Sequence, residues 1–403
     1  MKTLLKNPLL GAVLLIAGTT LGVGMLAFPT VTAFGGFVPS VVLFILIWLL
    51  MLSSSFFFLD ANLSVKGESN MITMAEKNLG TWGKVLSWIV YLLLLYSLTA
   101  VFIVGSKPLF VDTIRDLTGY TIPSWLAPFS LPVLFGGFIY AGTRGVDLIN
   151  RLLMIGLIIS YVLLVFFVPE QVDVERLSHI DFPAIGFAIP VVITAFGYHI
   201  VIPSLATYLN RDRALLRRAI LIGSCVPIFV YLFWEVLVLG VVPLDMLTNA
   251  FQQGDVATQP LAQVLQNPWI SLAAKFFAFF AIVTTFLGVT LSLSDFLIDG
   301  MKIKRTHGGR ILAILLTFVP PLIFVYWYPK GFYVALDYAG AFVAILLVFL
   351  PAAMVWKLKN YQGTLKKLFI LLVIFLSLSI VALDILQEFG KLQYLISEYL
   401  PKK

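Results

Sequence analysis

Two short runs of this chain have the residue types and spacing to hold a small solute. Ala17-Gly18-Thr19-Thr20-Leu21-Gly22-Val23-Gly24 and Thr194-Ala195-Phe196-Gly197-Tyr198-His199 each place glycine and polar residues in the middle of an otherwise apolar stretch. A helix interrupted there frees backbone N–H and C=O groups, which at membrane depth are tolerated only where they are buried in protein or line a cavity. Matched interruptions in the two halves of a chain therefore point to a solute-binding site, and to secondary transport. The N–H groups near Gly22 to Gly24 would meet a carboxylate at a positive dipole end. Carbonyls near Thr194 to Phe196 would accept from an ammonium.

The glycines have a second reading, because Gly18 and Gly22 alone form a GxxxG pattern that serves close helix packing. Packing leaves Thr19, Thr20 and the third glycine, Gly24, unaccounted for. Phe196 and Tyr198 flank the second break and offer ring faces for stacking on an aromatic solute. His199 has three readings at this depth: donor to a solute hydroxyl, acceptor of a coupling proton, or partner of a carbonyl exposed by the break. Thr284 and Thr285 fall in the middle of a later apolar stretch, where they either line the cavity or bond the carbonyl one turn back. Tyr91, Tyr96, Ser97 and Thr99 make another stretch polar enough to form a wall.

Charged residues inside apolar stretches are few. Glu235 and Lys275 lie at similar depth, Glu235 about 9 Å from the end of its stretch by helical rise. Unpaired charges there cost on the order of 3 kcal/mol each, so a Glu235–Lys275 pair is the favoured reading, with Glu235 as a proton carrier the alternative. Asp337 is a candidate for proton coupling or an outer gate, whereas Asp60 and Asp295 read as solvated or packing residues.

The elements that must position these residues follow from composition. With 60% apolar and 12% charged residues and a mean hydropathy of +1.01, the chain is an all-α integral membrane protein solvated mostly by lipid. A span needs roughly 20 apolar residues, and that ruler predicts eleven spans, at 8–31, 36–62, 82–105, 125–141, 152–169, 184–209, 218–240, 269–298, 311–328, 333–356 and 365–386. Lys2 and Lys6 precede the first apolar run as in a secretory signal, but the run continues to Val31, so it reads as a retained span. Counting outward from an inside N-terminus, most Lys and Arg, including Lys2, Lys6, Lys66, Arg151, Arg211, Arg217, Arg218, Lys304 and Lys366, fall in inner segments. The outer segments hold only Lys107, Arg115, Arg176, Lys330, Lys391, Lys402 and Lys403, which sets the N-terminus in the cytoplasm and the C-terminus outside.

The net charge of +7 is spread over short loops that no single duplex could contact together, so topology rather than nucleic acid explains it. Cys225 is the only cysteine and forms no intramolecular disulfide. His179, His199 and His307 lie in separate regions, and no HExxH, GxSxG or phosphate loop is present, which argues against an enzyme, a metal centre or a cofactor site. No repeated carbonyl filter or ring of like charges favours a channel. The longest connection, 241–268, has room for a short helix and reads either as a lid over an outer vestibule or as a solvated connector. Segment 64–83 has the spaced Met71, Met74 and Leu79 of an interfacial helix.

The first and sixth spans each carry a midpoint break followed by a proline, Pro29 and Pro203, and run in opposite directions. That is the pattern of two five-span units in inverted repeat plus one extra helix, with 1–169 the first unit, 184–356 the second, and 357–403 the eleventh helix and tail of a single transport domain. Ala17 to Pro29, Phe196-Gly197-Tyr198-His199 with Ile202-Pro203-Ser204-Leu205, and Thr284-Thr285-Phe286-Leu287-Gly288-Val289 with Leu291, Leu293 and Asp295 resemble the first-, sixth- and eighth-helix signatures of the hydroxy and aromatic amino acid permease family, which includes bacterial tyrosine-specific and tryptophan-specific transporters. The resemblance implies a LeuT-type (leucine-transporter) fold within the amino acid, polyamine and organocation superfamily, with helices 1 and 6 discontinuous. It further implies proton-coupled uptake of an aromatic amino acid across the bacterial inner membrane. Ile200 and Val201 are bulkier than the small residues expected after that histidine, leaving tyrosine against tryptophan open. In sodium-coupled relatives of the fold, hydroxyls at the positions of Thr284 and Thr285 together with carbonyls of the first-span break coordinate sodium, so the resemblance keeps sodium coupling as the alternative to protons.

Overall fold

The computed structural model describes residues 8–65, 67, 69–265, 267–391, 393–397 and 399, and all regular structure among them is helical. Lys2, Lys6, Lys66, Lys402 and Lys403 of the charge pattern lie outside these residues. In chain order the helices are α1 (Pro8–Thr20), α2 (Val23–Thr32), α3 (Phe37–Ser64), α4 (Met71–Leu79), α5 (Thr81–Thr118), α6 (Ser130–Ala141), α7 (Thr143–Phe167), α8 (Phe182–Ile185), α9 (Ile189–Ala195), α10 (Ile202–Tyr208), α11 (Arg213–Val241), α12 (Leu244–Gln253), α13 (Thr258–Val264), α14 (Pro268–Gly300), α15 (His307–Trp327), α16 (Phe332–Val343), α17 (Leu350–Val355) and α18 (Thr364–Glu388).

Nine helical stretches among the described residues are long and apolar enough to cross a membrane, and the pair formed by α1 and α2, bent by 51°, makes ten. The remaining expected span, 125–141, is a single 3-10 turn running into α6, whose 12 residues fall short of the roughly 30 Å hydrocarbon core. Ile155, Ile158, Ile159 and Val162 on α7 and Leu368, Leu372 and Phe375 on α18 are exposed apolar residues, as on lipid-facing helix surfaces. The expected interfacial helix is α4, capped by the Asn70 side chain accepting from Thr73 N at 2.9 Å; its Met74 is buried in the protein.

Prolines inside the spans leave carbonyls without their usual N–H partner four residues on, and neighbouring helices supply the donor. Pro29 frees Met25 O, which accepts from Trp234 Nε1 at 2.5 Å. Pro320 frees Leu316 O, which accepts from the Tyr96 hydroxyl at 2.9 Å. Pro351, just past a π turn over Ala344–Phe349, frees Leu347 O, which accepts from Ser54 Oγ. Each of these bonds ties two spans at a fixed depth.

The 241–268 connection folds as α12 and α13 over the far end of α2. Ala257 N donates to Leu26 O at 2.8 Å, Tyr333 donates to Asp255 O at 2.8 Å while bonding Thr30, and Phe251 meets Phe34 and Tyr333 at 5.3 and 4.8 Å. Burial and the nearby Asp112 push the Asp255 carboxyl up from its ordinary value, against the pull of Lys330 and Lys107. A segment beyond α18 joins this cover: Ile396 is buried with Phe34, Ala184 and Phe187, and the Tyr399 hydroxyl donates to Asp181 Oδ2 at 2.8 Å.

Candidate functional site

Both breaks form, by different geometry. The first is the Leu21-Gly22 joint between α1 and α2, where the chain bends; among the described residues the N–H groups of Gly22 and Gly24 have no backbone acceptor. The second bends less: α9 stops at Ala195, Phe196 and Gly197 leave helical geometry, and a 3-10 turn over Tyr198–Val201 leads into α10. The half-helices meet closely. A Cβ on Gly24 would come within 2.4 Å of Ala195 Cβ, and one on Gly22 within 3.0 Å of the Thr285 hydroxyl. Gly18 has nothing within 4 Å, so the GxxxG spacing does not serve packing there.

One face of α11 supports this junction at three levels. The Tyr231 hydroxyl lies 2.6 Å from Thr20 O and 3.2 Å from Ala195 O, the carbonyls ending α1 and α9. Trp234 holds Met25 O, and both oxygens of the Glu235 carboxyl lie 3.1 Å from Thr32 Oγ1, a hydroxyl that also reaches Phe28 O at 2.8 Å. Residues 231, 234 and 235 share one helix face, on which only the charged Glu235 carries a signal in the sequence. Among the described residues no ion pair joins Glu235 to Lys275, which corrects that expectation: similar depth does not place two side chains on facing sides of their helices.

The tryptophan/tyrosine permease family matches residues 5–384. This chain belongs to that family. It is 33% identical over 366 residues to the tyrosine-specific transport system 1 of Haemophilus influenzae, covering 89% of this chain and 90% of that one. The tryptophan-specific transport protein of Pseudomonas aeruginosa is 31% identical over 358 residues, covering 87% and 86%, and the low affinity tryptophan permease of Escherichia coli is 29% identical over 366, covering 88% of each. These relatives are named as transport proteins and permeases, not as enzymes.

In this permease, the expected site residues divide into groups. Thr20 O and the Phe196 ring, edge-on at 5.4 Å, meet Tyr231, while Gly22 faces Thr285 and Gly24 faces Ala195. Each threonine already bonds a carbonyl one turn back: Thr19 to Leu15 O, Thr20 to Ile16 O, Thr194 to Pro190 O, Thr284 to Phe280 O and Thr285 to Ala281 O. Their oxygens keep lone pairs to accept with, but the hydrogens are committed. Beyond Gly197, the Tyr198 hydroxyl donates to Ser55 at 3.3 Å and His199 stands edge-on to Phe58 at 5.9 Å, both on α3. His199 is fully buried, stacked on Tyr198, with neither ring nitrogen in a hydrogen bond and the Met51 backbone beside it.

Two expected residues lie apart from the junction. Tyr96 lines a cavity of about 290 Å³ between α5, α15 and α16, with Ser97, Pro321 and Tyr338. Asp337 accepts from Gln387 Nε2 at 2.7 Å, facing α18 near Asp384 and Glu388. Asp60, expected to be solvated or in packing, is a buried hub: Arg213 donates at 2.9 and 2.6 Å, Arg217 at 3.2 Å and Tyr361 at 2.6 Å, joining α3, α11 and the turn after α17. Burial and the Asp60 carboxylate push the Tyr361 hydroxyl up, which keeps it a donor.

Proposed function

We propose that this permease is a secondary active transporter that imports an aromatic amino acid, tyrosine first and tryptophan next, by proton symport with alternating access. The observation that carries the reading is the junction of the two broken helices, with free N–H groups at Gly22 and Gly24 on one side and the Phe196 ring on the other. The N–H groups that open α2 take the substrate carboxylate at a positive dipole end, and carbonyls at Thr194 and beyond take the ammonium. Phe196, Tyr198 and His199 read the aromatic side chain and Thr284 and Thr285 offer acceptor oxygens, while Tyr96, the remaining candidate, lines the separate cavity between α5, α15 and α16. His199, Glu235 and Asp337 are the proton-coupling or gate candidates.

In this reading the chain makes eleven spans, with 125–141 the fourth, arranged as a LeuT-type pair of five-helix inverted repeats (1–169 and 184–356) plus helix eleven and its tail (357–403). It sits in the bacterial inner membrane with the N-terminus in the cytoplasm and the C-terminus outside. Helices α12 and α13 then close the outer side. The inner side is more open: Gly18 and Thr19 on α1 and Gly288 and Ser292, one and two turns past Thr285, are exposed. Sodium in place of protons is the alternative, bound near Thr284 and Thr285.

The test is uptake of radiolabelled tyrosine and tryptophan into proteoliposomes, with and without an inward proton gradient and with and without sodium. Accumulation driven by the proton gradient alone is expected; no accumulation of either amino acid under any gradient would end the transport reading. Gly22→Leu, whose side chain would meet Thr285, should abolish substrate binding while the protein still folds.

A further inference from the structure

The α1 and α9 half-helices end with carbonyls, Thr20 O and Ala195 O, that converge on one point. Each C-terminal end carries a partial negative charge, so two of them aimed together at membrane depth form a position that attracts a cation. In this chain that point is filled from α11: the Tyr231 hydroxyl sits 2.6 Å from one carbonyl and 3.2 Å from the other. Tyr231 is fully buried, and the rings of Phe28 at 4.8 Å and Phe196 at 5.4 Å stand edge-on around it, which keeps water from supplying the donor instead.

We infer that Tyr231 is a positioning residue whose phenolic proton takes the place of a bound cation between the two breaks, so that the substrate site is assembled without sodium. The inference rests on the transport reading above and assigns a device to it. A single hydroxyl hydrogen bonds Thr20 O strongly and Ala195 O weakly, so it draws the two half-helix ends together without adding net charge. Removing the hydroxyl leaves two buried carbonyls facing one vacated position next to Gly22 and Phe196. A small monovalent cation is the species whose chemistry fits that position, because it offers positive charge to both oxygens at once and Tyr231 no longer does.

The experiment compares wild type with Tyr231→Phe in proteoliposomes, measuring tyrosine uptake under a proton gradient in choline and in sodium buffers. Wild-type uptake should be the same in both. Tyr231→Phe should lose about tenfold in choline, the scale of leaving a buried carbonyl unpaired, and sodium should restore at least a threefold part of it. A merely structural tyrosine would give a loss that sodium does not touch, and that result overturns the inference, as does full wild-type uptake of the variant in choline.

Two further measurements keep the outcome readable if Tyr231→Phe folds poorly. Incorporating 4-aminophenylalanine at 231 restores a donor and should restore sodium-independent uptake, whereas 4-methylphenylalanine fills the space and should not; equal behaviour of the two refutes the role of the proton. Thermal unfolding of the purified variants in detergent should shift upward with sodium only where the donor is missing. That last readout needs no transport, so it separates failure of this inference from failure of the transport reading.

Discussion

Trp234 and Pro29 allow a thermodynamic test of how this bundle tolerates prolines. Because Pro29 has no N–H, Met25 O depends on Trp234 Nε1, 2.5 Å away on another span. Trp234→Phe removes the donor and part of a fully buried side chain. The first loss leaves a carbonyl unpaired, a cost of about 1–3 kcal/mol in buried settings that falls to roughly 0.6–1.7 kcal/mol for hydrogen bonds between helices in membranes. The second is a cavity cost of about 1–2 kcal/mol, set by the ring volume alone. Pro29→Ala restores the N–H four residues on, so in that background Trp234→Phe should cost only the cavity. The double-mutant cycle should therefore show a coupling of about 1 kcal/mol, measured from reversible unfolding in mixed micelles. Additivity within about 0.3 kcal/mol would refute the claim that Trp234 stands in for the missing N–H.

Three other outcomes are expected. Gly24→Ala places a methyl within 2.4 Å of Ala195 Cβ and should cut substrate binding at least tenfold by prising the half-helices apart; adding Ala195→Gly should recover most of it, and no recovery would locate the damage elsewhere. Asp60→Asn removes the charge that Arg213, Arg217 and Tyr361 converge on, and should lower unfolding stability by about 1–3 kcal/mol, discounted because both arginines are part-exposed. The Asp255 carboxyl is pushed up from its ordinary range where α12 and α13 pack over α2, so if this segment acts as the proposed lid its closed form binds the proton more tightly than an open one. Closure should then be favoured in acid and lose that contribution as pH rises through the raised pKa, and labelling of a single cysteine introduced beneath α12 in a Cys225→Ser background should follow pH with Asp255 in place but not with Asp255→Asn.

The breaks could be read from the chain because glycine and polar residues in an apolar stretch are a local signal, and the 241–268 helices and α4 followed from length and spacing. What could not be read was azimuth. Depth along a span comes from counting residues, so Glu235 and Lys275 looked like a pair, yet the Glu235 face of α11 meets Thr32 instead. His199 and Tyr198 sit beside the second break in sequence, but the 3-10 turn carries both onto α3. Tyr231 carries no local signal, because one tyrosine in an aromatic-rich membrane protein looks like any other until the two carbonyls it meets are known. Prolines carry a signal of their own: Pro29, Pro320 and Pro351 each leave a carbonyl that needs a donor from another span, and Trp234, Tyr96 and Ser54 supply one.

The contact of Tyr399 with Phe34 sets a clock on assembly. Their rings lie 5.7 Å apart, yet at roughly 5–20 residues per second a ribosome needs about 20–70 s to get from one to the other. Throughout that interval the end of the first span lacks part of its cover, and the bent α1–α2 pair must wait in the bilayer with that end unsealed. The cover over that end is thus completed only after the last span has been made, and a domain fused close behind residue 399 would sit beside this contact.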